Sequence, residues 1–395
     1  MSSETLTKSE VLEKAFQLRE QIKAWRRDFH QHPELGFEEV RTSKIVAEHL
    51  ESLGIEVERN IGKTGVVGVI RGKSEGPTIA LRADMDALPI EDRKTVDYKS
   101  KVPGKMHACG HDSHTSMLMG AAKLLSEMPV PEKGNVKFIF QPAEEGLGGA
   151  PAMMEDGALL NPKVDAIAGL HIDPLIESGT LAVVRNQAMA AADTFEVKII
   201  GVGGHAARPH QTVDSITIAA EVISALQHVV SRQIDPLDPA VLTIGKITGG
   251  TATNIIAPEV TFIGTVRTLN PEVREAMPGK MESIIKGITE AFGASYEFDY
   301  DMGYPSVIND DQMVDLLEQT AIELVGNDKF NYMRPSMGGE DFSYYTKEVP
   351  GVFFRLGAMK DVTYPLHHPM FDINDDILPL GSAALVQLAL NYLNK

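Results

Sequence analysis

Short β-rich segments alternate with helical segments through much of this chain, and that order limits the fold more than any other feature of the sequence. Strands that alternate with helices are typical of an α/β domain built on a largely parallel sheet. The strands are predicted at Val66–Ile70, Thr78–Ala83, Val136–Gln141 and Ala166–His171, with helices near Thr115–Glu127 and Ala150–Asp156. We therefore expect an α/β domain with a mostly parallel sheet.

Two helices are predicted ahead of these strands. Apolar residues recur at helical spacing from Val11 to Phe29, which indicates one amphipathic helix that ends before Pro33. A second helix is predicted over Thr42–Leu53, where Gly54 supplies a stop signal.

The middle of the chain has a different order of elements. It predicts β-α-β-β-α-β, which is the ferredoxin-like pattern. The segments are Thr194–Gly201, Asp214–Ser231, Ala240–Ile247, Val260–Thr268, Glu272–Phe292 and Ser295–Tyr300. After Tyr304 the α/β character returns, with a helix near Gln312–Leu324, a strand at Val352–Leu356 and a last helix from about Leu378. We predict a small domain, residues 191–303, inserted into a larger domain formed by residues 1–190 and 304–395.

Composition excludes several classes of partner. The formal net charge of -18 over 395 residues disfavours nucleic acid and anionic membrane surfaces, which both need clustered Lys and Arg. We see no stretch that approaches the roughly 20 apolar residues of a membrane span. The N-terminal MSSETLTKSE lacks the apolar core of a signal peptide, and a single cysteine excludes a disulfide framework. These features predict a cytoplasmic protein without nucleic-acid or membrane partners.

Acidic and imidazole side chains lie at the ends of three predicted strands. Asp84 and Asp86 follow the first strand, Glu144 and Glu145 follow the second, and His171 closes the third. In open α/β sheets, ligands bind outside the carboxyl ends of the strands. The three strand ends therefore predict one site.

The segment Met106–His114 adds thiol and imidazole groups to this candidate site. It contains the only cysteine, Cys109, followed two residues later by His111, so both side chains can reach one metal ion from a loop. An isolated Cys-x-His is more simply a buried thiol beside exposed histidines. Next to the strand-end carboxylates, metal ligation is favoured. The alternative, Cys109 as a nucleophile activated by histidine, leaves the Glu144–Glu145 pair without a role.

Adjacent glutamates suit a metal-assisted amide hydrolase, because one carboxylate can bind the ion while the other takes a proton from water. Alone, Glu144 and Glu145 would read as the solvated start of a helix. Near the C-terminus, His367 and His368 precede Pro369, and spacing does not decide between a further ligand and a loop without a function.

Three glycine-rich segments have no clear role from the residues alone. Gly201–Pro209 lacks the context of a phosphate loop, and Gly249–Asn254 is most simply a hairpin loop between paired strands. His205 and Asn254 are therefore unexplained, and the turn Gly338–Asp341 is ambiguous.

Taken together, the motifs resemble the aminoacylase/carboxypeptidase superfamily of dinuclear metallohydrolases. The resemblance is carried by RADMDALP from Arg82, MHACGHD from Met106, QPAEEG from Gln141, GLH ending at His171, GHA around His205 and GGEDF from Gly338. The closest branch is the hippurate hydrolase, N-acyl-amino-acid and indole-acetyl-amino-acid amidohydrolase group.

This resemblance implies two divalent metal ions, drawn from zinc, manganese, cobalt or nickel. The implied ligands are Cys109, His111, Glu145, His171 and His367, with His368 as the alternative to His367. It further implies that Glu144 is the general base, that Asp86 orients the adjacent site, and that His205 and Asn254 contact substrate.

The resemblance also implies that the inserted domain forms a dimer and a mobile lid, giving a homodimer or a dimer-based tetramer. The expected substrates are N-acyl amino acids or short peptides. Related exopeptidase branches carry His-x-Asp where this chain has Asp84-Met85-Asp86. A carboxypeptidase or dipeptidase is the close alternative, and a non-catalytic metal-binding scaffold is the more distant one.

Overall fold

The computed structural model of the chain describes residues 8–395. Residues 1–7, which form most of the polar N-terminal segment discussed above, lie outside the described part. The helices of the described part are α1 (Lys8–Gln17), α2 (Arg19–Gln31), α3 (Val40–Ser52), α4 (His111–Ser126), α5 (Gly149–Glu155), α6 (Ser215–Gln233), α7 (Pro271–Ala291), α8 (Asp311–Val325), α9 (Phe342–Glu348) and α10 (Leu378–Leu393).

The strands complete the list of regular elements. They are β1 (Glu56–Ile61), β2 (Gly65–Arg71), β3 (Thr78–Asp84), β4 (Asn135–Gln141), β5 (Ala166–Asp173), β6 (Leu181–Val183), β7 (Asn186–Met189), β8 (Ala191–Ile200), β9 (Gly204–His205), β10 (Ala240–Gly249), β11 (Ile255–Ile256), β12 (Glu259–Thr268), β13 (Ser295–Tyr304), β14 (Val307–Asn309), β15 (Phe330–Tyr332) and β16 (Gly351–Gly357).

Two compact units divide these elements. The larger unit comprises the described residues up to Asn186 together with Ile308–Arg334 and Asp341–Lys395, and the smaller unit comprises Gln187–Val307 and Pro335–Glu340.

The larger unit is built on an eight-stranded sheet in the order β1-β2-β4-β3-β5-β16-β6-β15. The four central strands, β4, β3, β5 and β16, run parallel to one another. Every residue of β3 is buried, as expected for a parallel strand covered on both faces. The predicted α/β class with a mostly parallel sheet is confirmed. This arrangement brings the carboxyl ends of the four central strands to one edge of the sheet.

The smaller unit has a four-stranded antiparallel sheet in the order β10-β12-β8-β13. Helices α6 and α7 connect these strands in the β-α-β-β-α-β order, so the predicted ferredoxin-like pattern is confirmed. In β12, buried and half-exposed residues alternate, which is typical of a sheet with one covered face. The apolar residues of α6, α7 and this sheet form a separate core.

One expectation about the helices was wrong in detail. The single helix predicted from Val11 to Phe29 is two helices that break at Leu18, whose N–H donates to the carbonyl of Ala15 in a tighter turn. The apolar spacing continues across the break, so periodicity does not reveal it.

The C-terminal helix bears on the expectation that the chain has no membrane span. The segment Asp375–Leu393 has 19 residues, and a window within it has a mean hydropathy of 1.2. By length and composition alone, the segment could cross a membrane. However, 67% of that window is buried inside the protein, where α10 packs in the main core. This is the environment of a core helix.

Candidate metal centre

The end of β3 is fixed by a buried chain of charged side chains. Arg82 donates from Nη1 to Oδ2 of Asp84 at 2.6 Å, and Oδ1 of Asp84 lies 2.6 Å from Nδ1 of His114. The N–H of Ile172 donates to Nε2 of His114, so the proton of this imidazole is on Nδ1 and is donated to Asp84. Burial acts to raise the pKa of Asp84, but His111, His114 and Arg82 outweigh it and hold that pKa well below its ordinary value.

Gly110 places Cys109 and His111 at the start of α4. Its φ of +92° lies in the left-handed region, and an added Cβ would come within 2.4 Å of the Cδ1 atom of Ile172. Glycine suits this position because it adopts the left-handed conformation without strain and leaves room for the side chain of Ile172. The sharp turn directs the side chains of its two neighbours toward the carboxyl ends of the strands.

The two glutamates lie on a bend after β4 and not at the start of a helix, since α5 begins only at Gly149. Ala143, just before them, has a φ of +54°. Asp86 contacts both parts of the site: its Oδ2 accepts the N–H of Glu145 at 3.0 Å, and its Oδ1 lies 3.1 Å from Nδ1 of His111. A proton on Nδ1 of His111 would leave its Nε2 available as a ligand, which is the usual carboxylate–histidine arrangement at metal sites.

His171 presents its ligating nitrogen in the same way. Its Nδ1 donates to the carbonyl of Ile172 at 2.6 Å, so Nε2 carries the lone pair and lies 3.4 Å from Sγ of Cys109. Burial, followed by the neighbouring His114 and Arg355, holds the pKa of His171 well below its ordinary value. The imidazole is therefore neutral, which is the form that binds metals.

His367 approaches the same thiol from a C-terminal loop. Its Nε2 lies 3.4 Å from Sγ of Cys109 and 3.3 Å from Oε1 of Glu145. His368 does not take part in this cluster: its ring stacks on Tyr364, and its Nδ1 accepts the N–H of Met370. The geometry therefore brings His367, and not His368, to the candidate ligands.

These donors form two groups of three that share Cys109. The closed group is Cys109, His111 and His171, all buried, and the open group is Cys109, Glu145 and His367, in which burial falls to half-buried and then exposed. Within each group the candidate atoms lie within 4.8 Å of one another. A tetrahedral zinc ion with ordinary ligand distances would separate its sulfur and nitrogen ligands by about 3.5 Å. The observed Sγ–Nε2 distances of 3.4 Å match that value.

A buried nitrogen without a hydrogen-bond partner, with carboxylate oxygens of Asp84, Glu144 and Glu145 at 3.8 to 4.0 Å, supports metal binding at this place. Nε2 of His111 accepts and donates no hydrogen bond within residues 8–395. An unsatisfied buried polar atom is costly, and a cation would satisfy it. The donor set therefore fits divalent ions.

The environment of Cys109 argues against a free nucleophilic thiolate. Burial raises the pKa of this thiol to about 12, and the Glu145 carboxylate contributes to the increase. Nucleophilic cysteines have a lowered pKa. A deprotonated Cys109 thus requires a bound cation beside it.

Asp84 and His114 form a further cluster with His111, but they are bonded to each other, Asp84 also accepts from Arg82, and His114 also accepts the N–H of Ile172. These hydrogen bonds already engage Oδ1 and Oδ2 of Asp84 and both ring nitrogens of His114. Sequence reasoning missed His114, which lies inside the quoted Met106–His114 segment. A signal for Arg82 was available, because it is a charged residue in the middle of an apolar strand.

The GGEDF turn supplies a second residue that sequence reasoning left ambiguous. Oδ1 of Asp341 accepts from Nη2 of Arg82 at 2.9 Å, and both of its carboxylate oxygens accept from Nε2 of Gln141 at 2.8 Å. The N–H of Ala150 donates to Oδ2 of the same carboxylate. Asp341 therefore joins the ends of β3 and β4 to the start of α5.

His205 and Asn254 belong to the smaller unit, in which they are neighbours. Residue 205 pairs with Ile255 where β9 meets β11, and the N–H of Ala206 donates to the carbonyl of Asn254 at 3.1 Å. Both side chains are exposed. The hairpin loop between β10 and β12 therefore also carries a short strand that places these two residues together.

Comparison with known proteins gives matches over nearly the whole chain. A family model described as peptidase family M20/M25/M40 matches residues 80–391. An N-acyl-L-amino acid amidohydrolase from Geobacillus stearothermophilus is 47% identical over 309 residues, which cover 78% of this chain and 83% of that protein. Thermostable carboxypeptidase 2 from Saccharolobus solfataricus is 41% identical over 379 residues, which cover 94% and 95%.

Among solved structures, a dinuclear metal-binding peptidase of the M20 family from Bacillus subtilis superposes with a TM-score of 0.84. It is 37% identical in sequence, and the match covers 96% of this chain and 99% of that one. The resemblance predicted from the motifs is confirmed by these comparisons.

Proposed function

This chain belongs to peptidase family M20/M25/M40, and we propose that it hydrolyses the amide bond of N-acyl amino acids, with Glu144 as the general base. Membership of the family makes it a metal-dependent hydrolase. The proposal adds the substrate class and the roles of individual residues.

The position of Glu144 is the observation that carries the proposal. Its side chain is 9% exposed, and its Oε2 lies 4.0 Å from Nε2 of His111. The neighbouring Glu145 belongs to the open group of donors. A second carboxylate beside a complete ligand set is what general-base catalysis of hydrolysis requires.

Cys109, His111, Glu145, His171 and His367 would hold two divalent ions, with zinc, manganese, cobalt or nickel as the candidate metals. When bound, these ions would polarise the substrate carbonyl and lower the pKa of water. Glu144 takes a proton from the attacking water and delivers it to the nitrogen of the departing amine. Asp86 holds His111 and the N–H of Glu145 in position for this step.

The smaller unit supplies the remaining roles in this proposal. His205 donates a hydrogen bond to the oxyanion of the tetrahedral intermediate, and Asn254 binds the substrate. Their adjacency on β9 and the loop before β11 supports a shared role. We further propose that the unit pairs two chains as a dimer and acts as a lid, and that the enzyme works in the cytoplasm, where the free thiol of Cys109 stays reduced.

A carboxypeptidase activity is the second candidate, supported by the similarity to thermostable carboxypeptidase 2. One assay separates the two activities. The purified protein, supplemented in turn with each candidate metal, is incubated with N-acetyl amino acids, N-benzoyl amino acids and dipeptides, and release of the free amino acid is measured. We expect N-acyl amino acids to give the highest kcat/KM and a chelator to abolish turnover. Faster hydrolysis of peptides would favour the carboxypeptidase, and no turnover with any metal would contradict both.

A further inference from the structure

A buried carboxylate behind the glutamate bend has no role in the mechanism described so far. Glu39 lies just before α3, and its side chain is 0% exposed. Its Oε1 accepts the N–H of Ala143 at 2.9 Å, and its Oε2 accepts the hydroxyl of Thr64 at 2.6 Å. Both oxygens therefore have a defined partner, and one of these partners directly precedes Glu144.

The backbone at Ala143 needs such a partner. Its φ of +54° is a left-handed conformation that alanine rarely adopts and that persists only where the surroundings enforce it. Gly36 packs closely against Ala143, since a Cβ added at Gly36 would lie 3.0 Å from the Cβ of Ala143. The segment from Gly36 to Glu39 thus supports the bend by contact at one end and by a hydrogen bond at the other.

The opposite side of Glu144 is held in the same manner. The N–H of Glu145 donates to Oδ2 of Asp86 at 3.0 Å. Glu144 therefore lies between two peptide N–H groups, each bonded to a buried carboxylate from a different part of the chain. These two hydrogen bonds limit rotation of the backbone on both sides of Glu144.

We propose that Glu39 is a positioning residue for Glu144, acting through the N–H of Ala143. The inference rests on the proposed role of Glu144 as the general base. Glu39 does not reach the candidate ligands, so its contribution is to the geometry of proton transfer and not to metal binding. A misplacement of about 1 Å at a catalytic group can reduce turnover by about 100-fold.

The environment of Glu39 indicates which substitution preserves its contacts. Burial raises the pKa of Glu39 to about 7, against the lowering effect of the Thr64 hydroxyl, and Asp86 adds to the increase. The neutral acid is thus accessible at neutral pH. Glutamine reproduces that form: its carbonyl oxygen can accept from Ala143, and its amide group can donate to Thr64.

The test compares three substitutions at this position in the metal-loaded enzyme. In Glu39→Ala and in the larger Glu39→Leu, which avoids a cavity, we expect kcat to fall about 10- to 100-fold. KM should stay within about twofold, and metal content and resistance to chelator should match wild type, because the altered contact serves orientation alone. In Glu39→Gln, kcat should remain within about threefold of wild type.

A double-mutant cycle shows whether the effect passes through Glu144. If Glu39 acts by positioning this base, Glu39→Leu should cost little further turnover in a Glu144→Gln background. The proposal would be overturned if the losses of kcat from Glu39→Leu and Glu144→Gln multiplied in the double variant. Loss of bound metal in Glu39→Leu would also overturn it, as would equal losses of kcat in Glu39→Gln and Glu39→Leu. Full activity of Glu144→Gln alone would instead remove the proposed function, whatever the Glu39 variants do.

Discussion

The closed and open groups of donors share one thiol, yet the structure supports their other members in different ways. In the closed group, Asp86 faces Nδ1 of His111, and the carbonyl of Ile172 accepts from His171. In the open group, His367 is on a loop with a φ of +64° and its side chain is 51% exposed. On the main chain, the N–H of His367 donates to the carbonyl of Ala108.

This difference predicts that the protein binds its two ions with unequal affinity. Donors that are buried and already oriented lose little freedom when an ion binds, whereas an exposed loop must become ordered. We therefore expect the closed group to bind first and to exchange slowly, and the open group to bind more weakly. The following experiments separate chemistry from binding and then compare the two groups directly.

The largest effect on turnover is expected for Glu144→Gln, because Glu144 is the proposed general base. It belongs to neither group of donors. Turnover should fall by at least about 10²–10⁴, the usual contribution of a general base. Metal content should stay at two ions per chain by elemental analysis, since every ligand is retained. Near-normal turnover in the metal-replete variant would exclude Glu144 from proton transfer.

Removing one histidine from each group tests the comparison itself. His171→Ala should abolish tight binding of one ion. His367→Ala should instead lower the affinity for one ion by about 10- to 100-fold and leave the affinity for the other unchanged. Titration of the metal-free protein with cobalt, followed by absorption, measures both affinities. His368→Ala is the matched control from the same loop and should bind like wild type. Equal losses of metal affinity in His171→Ala and His367→Ala would contradict the proposed difference between the two groups.

The shared thiol makes binding depend on pH. Since burial raises the pKa of Cys109 to about 12, the thiol is protonated from pH 7 to 9 without a cation. Binding must release that proton, so affinity should rise by about tenfold per pH unit over this range for each proton released. Calorimetry in buffers of different ionisation enthalpy counts the protons. Cys109→Ala should release one fewer, and unchanged release would show that Cys109 binds as a thiol or does not bind.

The fold and most of the candidate site were predictable because strand ends and short motifs carry that information locally. Cys109 and His111 are two residues apart, and the strand-end position of Glu144 and Glu145 follows from an apolar run. Glu39 and Asp341 were not predictable in this way. Each makes its contact with a residue more than a hundred positions away, at Ala143 and Gln141, and no local pattern marks either carboxylate as buried.

The choice between His367 and His368 shows the same limit. Both precede Pro369 at spacings that suit a ligand, and the residues alone leave the choice open. The stacking of His368 on Tyr364 and the left-handed backbone at His367 decide which ring turns toward Cys109. Such preferences arise from tertiary packing and not from sequence periodicity.

The smallest expected signal is a partial return of activity in a mixing experiment on His205, which lies in the smaller unit and belongs to neither group of donors. A hydrogen-bond donor to an oxyanion is worth about 10²–10³ in turnover, so His205→Ala should be nearly inactive by itself. If two chains pair and His205 serves the partner's site, mixing His205→Ala with Glu144→Gln should restore activity. A mixed dimer then has one site with both residues intact and one site with neither.

Random, equal exchange gives about half mixed dimers, each with one good site, so activity should approach about a quarter of wild type. A mixture of Glu144→Gln with His171→Ala is the matched control, because both residues belong to the larger unit of one chain and every site then lacks one of them. That control should stay inactive under the same conditions. Exchange must be verified separately, for example by mass spectrometry of differently tagged chains. If verified exchange restores nothing, His205 does not serve the partner's site and either acts within its own chain or has no role in turnover.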